Sequence, residues 1–202
     1  FNQGKLPMVN VFVDSPLAVN ATTIFRMHPE CFNKNIIKAM EDDPDPFGFN
    51  SLTYIMRAED SKRLNDLKEP CIIISASGMM EAGRIKHHLA NNISDPKNTV
   101  LVVGYCAPST LGARIVGGAK EVSIHGNIHK VNAEIMTIDS FSGHGDYKEM
   151  IGFLECQDKN LIKKTFLVHG EYETQINYSA ELAKRGFKNI EIPYPKQEFI
   201  IE

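Results

Sequence analysis

Cys71-Ile72-Ile73-Ile74-Ser75-Ala76-Ser77-Gly78 is an unbroken apolar run that gives way abruptly to small, hydroxyl-bearing residues. Continuous apolar residues bounded by a turn signal read as a strand covered on both faces, the texture of a parallel sheet. Residues 79–93 then read as a helix, with Ala82, Ile85, Leu89 and Ile93 on one stripe. The same order of strand, turn and helix occurs twice more. Met8-Val9-Asn10-Val11-Phe12-Val13 stops at Asp14-Ser15-Pro16, where proline suits the first turn of a helix over 17–27. Thr99-Val100-Leu101-Val102-Val103 passes through Gly104-Tyr105 to a short helix at 110–116. Repeated units of this kind predict an α/β fold, a mostly parallel sheet with helices on both faces. Ligands of such sheets bind beyond the carboxyl ends of the strands, so the three turns are expected to line one rim.

Between these units, 35–40 looks helical, Glu41-Asp42-Asp43-Pro44-Asp45-Pro46 is an acidic loop, 52–56 a strand and 60–67 a helix. From about Lys120 the texture changes. Residues 121–125 and 128–138 look like β-structure around a two-residue turn at Gly126-Asn127. A helix at 148–156, a strand at 165–168, a helix at 172–184 stopped by Gly186, and strands near Ile190 and Phe199 complete the chain. The change in texture divides it into domains 1–119 and 120–202.

With 43% hydrophobic and 23% charged residues, the 202-residue chain has a globular composition and enough length for a substantial core. It has no apolar run near the ~20 residues that cross a bilayer, and Phe1-Asn2-Gln3-Gly4-Lys5 lacks the layout of a signal peptide. The expectation is a cytoplasmic protein without a membrane partner. Cys31, Cys71, Cys106 and Cys156 form no C-x-x-C pair and read as reduced thiols. A formal charge of −3 gives no global basic field, so contact with nucleic acid would need a local patch or metal ions.

Two histidines stand where a strand or loop hands over to a helix. His144 lies between Gly143 and Gly145, ahead of Asp146 and Glu149; the simpler reading makes Asp146 the N-cap of a capping box. The functional reading sets His144 before a helix N-terminus that favours phosphate. His169 follows an apolar strand and precedes Gly170, where an imidazole can reach a metal ion. His125 and His129 are expected on opposite faces of their hairpin, His87 and His88 on the surface, and His28 before Pro29 without a partner. Ser15, Ser75, Ser77 and Thr110 occupy the rim turns. They serve either as helix caps or, with Gly78, Tyr105 and charge from Arg84, Lys86 or Arg114, as contacts to phosphates of a chain-like ligand. No G-x-S-x-G, G-x-G-x-x-G or G-x-x-x-x-G-K-[ST] is present, which argues against a serine hydrolase and a nucleotide-binding module.

Asp14-Ser15-Pro16-Leu17-Ala18, Ala76-Ser77-Gly78-Met79-Met80, Gly104-Tyr105 with Thr110-Leu111-Gly112, Phe141-Ser142-Gly143-His144-Gly145-Asp146 and Leu167-Val168-His169-Gly170-Glu171 run in the order found in β-CASP metallo-β-lactamase proteins. The chain resembles that family of RNA-processing nucleases over nearly its whole length. The resemblance implies that 1–119 is most of the β-CASP domain and that 120–202 is the return segment of a metallo-β-lactamase fold, the RNA-metabolising motif. It makes His144 the catalytic histidine near the scissile phosphate and His169 a ligand of one of two zinc ions, with Asp146 and Glu171 in support. The family's H-x-H-x-D-H motif is absent from these residues. The resemblance therefore implies the carboxyl-terminal part of a zinc-dependent ribonuclease, silent and without zinc by itself, whose partners are RNA and an N-terminal metallo-β-lactamase portion. A homodimer is compatible with it. The alternative is a non-catalytic RNA-binding or scaffold subunit.

Overall fold

A computed structural model describes residues 7–138, 140–141 and 143–200. Ser142 of the 141–146 motif and the first residues weighed as a signal peptide lie outside the described residues. The chain is mixed α/β with mainly parallel strand pairs. It forms two compact units, Phe1–Ser142 and Gly143–Glu202. The boundary near residue 120, drawn from the change in sequence texture, remains a proposal about which fold each part belongs to.

In the first unit β1 (Asn10–Asp14) lies between β2 (Leu52–Tyr54) and β3 (Cys71–Ser75), parallel to both, with Val11 opposite Leu52 on one side and Ile72 on the other. Helix α1 (Pro16–Met27) begins at Pro16 behind the Ser15 N-cap. Helices α2 (Lys34–Asp42) and α3 (Ala58–Leu64) flank β2 in sequence. Strand β4 (Thr99–Val102) instead pairs in parallel with β7 (Glu134–Thr137), as a separate two-stranded sheet. The expected single sheet is thus two sheets. β3 stands at an edge, where Ile72 and Ile74 remain half exposed rather than covered.

Helix α4 (Ile85–Asn92) starts six residues later than its apolar stripe suggested. Met80 (φ 62°) and Gly83 (φ 81°) adopt left-handed backbone that no α-helix can contain. Residues 76–84 therefore form a turn, closed by Ser77 N–H donating to Ala82 O (3.1 Å) and Ile85 N–H to Ala76 O (3.2 Å). Leu89 and Ile93 nevertheless enter the core as predicted. There they join Val102, Leu111 and Ile115 of α5 (Leu111–Val116), and Val122 and Ile124 of β5 (Glu121–Ile124). Burying each such side chain contributes about 1.5–3 kcal/mol.

The hairpin of β5 and β6 (Asn127–Lys130) pairs Ile124 with Asn127, so its turn is His125-Gly126, one residue earlier than read from sequence. Both turn residues have positive φ (52° and 82°), as a type I′ connection requires. The expected β-structure over 128–138 is two strands, and the second leaves the hairpin to pair with β4.

The second unit holds α6 (Tyr147–Leu154), β8 (Thr165–Phe166), α7 (Tyr172–Lys184) and β9 (Ile190–Glu191) around Ile151, Leu182 and Phe187. β8 and β9 are parallel, with Thr165 opposite Ile190. No strand forms at Phe199; its ring packs edge-on against Phe166 at 4.7 Å instead. Among the described residues no helix is long and apolar enough to cross a membrane.

Candidate functional site

In the second unit Asp146, itself in extended backbone, caps α6 as the simpler reading required. Its Oδ1 accepts from the N–H groups of Lys148 (2.8 Å) and Glu149 (2.9 Å), while Glu149 Oε2 accepts from Asp146 N–H (2.9 Å). This reciprocal capping box fixes the N-cap two residues beyond His144, and α6 starts at Tyr147. The Asp146 carboxylate thus occupies two of the helix-end donors that a phosphate could otherwise meet, and His144 is exposed.

His169 emerges three residues beyond β8, in left-handed backbone (φ 68°) followed by Gly170 (φ 91°). The Gln175 side-chain amide, one turn into α7, donates to the carbonyls of His169 (2.9 Å) and Leu167 (3.2 Å), which holds the unusual turn in place. Both His169 and Glu171 are exposed, and Glu171 occupies the N-cap position of α7 without a side-chain capping bond. Among the described residues no three His, Cys, Asp or Glu side chains converge where they could hold a metal ion. A catalytic zinc takes three protein ligands, so the described residues do not by themselves fit a complete zinc centre.

The three turns of the first unit do meet, although they hang from two sheets. Ser75 Oγ donates to Asp14 O (3.0 Å), and Gly112 N–H donates to Met79 O (3.0 Å). Ser15 and Thr110 are buried N-caps, accepting from Ala18 N–H and Ala113 N–H (3.3 Å each). Ser77 Oγ donates to Ala82 O (3.3 Å). Glu81 places its own carboxylate on Leu111 N–H at the start of α5. Gly78 and Tyr105 are the open part of this edge: Tyr105 is 70% exposed, and nothing lies within 4 Å of the Cβ direction at Gly78.

Sequence reading missed the most concentrated polar site, beneath this edge. Asp14 is fully buried and accepts from Ser61 Oγ (2.5 Å), Arg84 Nη1 (2.5 Å) and His88 Nε2 (2.6 Å). Arg84 also donates to Ile55 O (3.1 Å) and Met56 O (2.7 Å) just past β2, and His88 Nδ1 meets Asn65 Oδ1 at 2.9 Å. Burial opposes ionisation of Asp14, but hydrogen bonds from Ser61, His88 and Arg84, with the Arg84 charge, outweigh it and hold the carboxyl below its usual value. Two expectations are corrected here: His88 is buried rather than superficial, and Arg84 spends its donors inside the protein. The only signal in the sequence was an acidic residue ending a buried strand; its partners lie 47 to 74 positions away.

The remaining histidines are peripheral. His87 stacks on His125 with ring centroids 4.5 Å apart, and His28 pairs with Glu30 at 2.8 Å, contrary to its lone reading. Slight desolvation, then the nearby His87, Lys86 and His129, lower the affinity of His125 for a proton. All four cysteines are free; burial pushes the Cys71 and Cys106 thiols up, away from reactivity.

Comparison with known proteins gives this geometry its setting. Residues 1–115 match the family model described as the Beta-Casp domain, and residues 128–193 match the Zn-dependent metallo-hydrolase RNA specificity domain, the stretch that contains both His144 and His169. A ribonuclease of Thermus thermophilus is 31% identical over 182 residues, 90% of this chain and 41% of the relative. An RNase J-like protein of Methanocaldococcus jannaschii is 32% identical over 190 residues, 94% and 41% of the two. The transcription termination factor FttA of Methanosarcina mazei is 28% identical over 189 residues, 91% and 29%. The chain thus spans about two fifths of the ribonuclease relatives and less of the termination factor. With the Beta-Casp domain model matching more than half of the chain and the RNA specificity domain model most of the rest, the chain belongs to the β-CASP family of metallo-β-lactamase-fold RNA-processing nucleases.

Proposed function

We propose that this chain supplies the phosphate-side histidine and one metal ligand of a zinc-dependent ribonuclease, and that the other metal ligands belong to a longer protein of which it forms part. The observation that carries the reading is the pair of histidine-bearing junctions in one compact unit, His144 ahead of a capped helix and His169 in a left-handed turn braced by Gln175. Both fall within the stretch matched by the RNA specificity domain. The short span of the chain against its ribonuclease relatives, and the lack of a three-donor cluster among the described residues, support placing the remaining ligands elsewhere.

Each residue has a distinct part. His144 donates a proton to the leaving oxygen of the RNA backbone, and the Asp146–Glu149 box fixes the N-cap of α6 two residues after it. His169 offers one imidazole to zinc. Gly78 and Tyr105 in the first unit give the RNA an open edge, where backbone N–H groups meet phosphates and the phenol ring stacks on a base. Such contacts read little sequence.

The test is RNA hydrolysis and metal content of the longer protein. His169→Ala lowers bound metal and activity together, whereas His144→Ala keeps the metal and slows turnover about 10²–10⁴-fold. Full rate and full metal in both variants would refute the assignment. Tight RNA binding with no hydrolysis by the unmodified protein would instead favour the non-catalytic subunit.

A further inference from the structure

All three parallel strands of the first sheet end at one buried carboxylate. β1 contributes Asp14 itself, Arg84 links it to the carbonyls just past β2, and Ser75 at the end of β3 donates to the Asp14 carbonyl. From above, Ser61 of α3 and His88 of α4 complete the set, and Asn65 fixes the far side of the His88 ring. Asp14 is 0% exposed and the His88 side chain 6%. Unlike most surface pairs, these contacts cannot be exchanged for water at little cost.

The location gives the network a consequence beyond packing. Asp14 immediately precedes Ser15, the cap of α1, and Arg84 is the last residue of the 76–84 turn, whose outer surface carries Ser77 and Gly78. Any rotation of that turn would pull the Arg84 fork away from Asp14 and from two carbonyls at once. We propose that Asp14, with Arg84 and His88, is the positioning centre of the RNA-holding edge: it sets the 76–84 turn against the α1 start, and Arg84 acts on the carboxylate rather than on RNA phosphate. This deepens the proposed RNA-holding role and rests on it. The three donors around Asp14 favour its ionised form.

The experiment uses the longer protein, with a chelator present to prevent hydrolysis, and a short labelled single-stranded oligoribonucleotide titrated over a series of salt concentrations, with amide exchange of the 76–84 turn measured in parallel. Asp14→Asn keeps the shape and one acceptor but removes the charge. It is expected to weaken RNA binding about tenfold and to speed exchange of the Ile85 and Ser77 amides by a similar factor, as loss of a coupled network contact does. His88→Gln, which keeps a donor toward Asp14, restores most of what His88→Leu loses. Arg84→Lys weakens binding without changing the slope of log affinity against log salt.

Three results would overturn the proposal. A slope that falls by about 0.7 in Arg84→Met would mean that Arg84 neutralises a phosphate directly. Unaltered affinity and exchange in folded Asp14→Asn would mean that the network does not set the turn. Equal losses in His88→Gln and His88→Leu would mean that bulk, not hydrogen bonding, matters there. If the unmodified longer protein binds no RNA, the RNA-holding role fails, and amide exchange alone then decides whether Asp14 positions the turn. If Asp14→Asn does not fold, the His88 pair carries the same decision.

Discussion

Replacing Gly83 by alanine should damage the 76–84 turn more than any other glycine replacement in left-handed backbone where the surroundings are open. Gly83 has φ 81°, and a Cβ there would fall on the Ala76 carbonyl oxygen, with the carbonyl carbon at 2.9 Å and Ser77 N at 3.2 Å. Two costs add. Left-handed backbone costs an L-residue about 1–2 kcal/mol, and forcing a methyl into backbone that cannot recede costs about 1–3 kcal/mol more. The sum is about 2–5 kcal/mol. Gly118 supplies the control, because its φ is also 81° but nothing lies within 4 Å of its Cβ direction. Gly118→Ala should therefore lose only the first cost, about 1–2 kcal/mol. Urea unfolding followed by circular dichroism suits a chain without tryptophan. With a slope of about 2 kcal/mol per molar urea, Gly83→Ala should unfold roughly 0.5–1.5 M earlier than Gly118→Ala. Amide exchange at Ile85, whose N–H bonds Ala76 O, guards against a purely local opening that leaves the midpoint unmoved. Equal midpoints together with equal Ile85 exchange would refute the close approach of the turn to β3's end.

Further outcomes follow from the site chemistry. Asp146→Ala removes the oxygen that accepts both N-terminal N–H groups of α6 and should destabilise the second unit by about 0.5–2 kcal/mol in a thermal melt, with Asp146→Asn close to the parent. The His125 proton affinity is lowered in the folded state, so the unfolded chain takes up protons first; stability should fall as pH drops below about 6.5 and level off below the folded value. A nuclear magnetic resonance titration should find His125 below the ordinary value and His87→Ala should raise it; no movement would remove the His87 contribution. The Asp14 carboxyl is held low, so its contribution is complete above about pH 3.9 and lost as pH falls through the folded value. Acid unfolding should therefore be steeper for the parent than for Asp14→Asn, and parallel curves would contradict the buried pairing.

The parts legible in the sequence were those set by short-range chemistry. The apolar runs ending at Asp14, Ser75 and Val102 read as strands of a parallel sheet and form parallel pairs, although at the edge strand β3 the side chains of Ile72 and Ile74 stay half exposed. Asp146 and Glu149 gave a capping box because both partners lie within three residues. Pro16 and Thr110 marked helix starts for the same local reason. Tertiary structure alone decided where α4 begins, since left-handed Met80 and Gly83 answer to the Ala76 and Ser77 backbone rather than to the apolar stripe. It also split the sheet: β4 takes β7, from beyond the hairpin, as its partner, and no local pattern records that choice. The hairpin slipped by one residue because left-handed backbone at His125 let the turn close before Asn127. Burial of His88 and Arg84 depended on Asp14, some 70 residues earlier in the chain. A charged side chain enters a core only when a partner is already there to meet it, and which partner arrives is settled by the path of the whole chain.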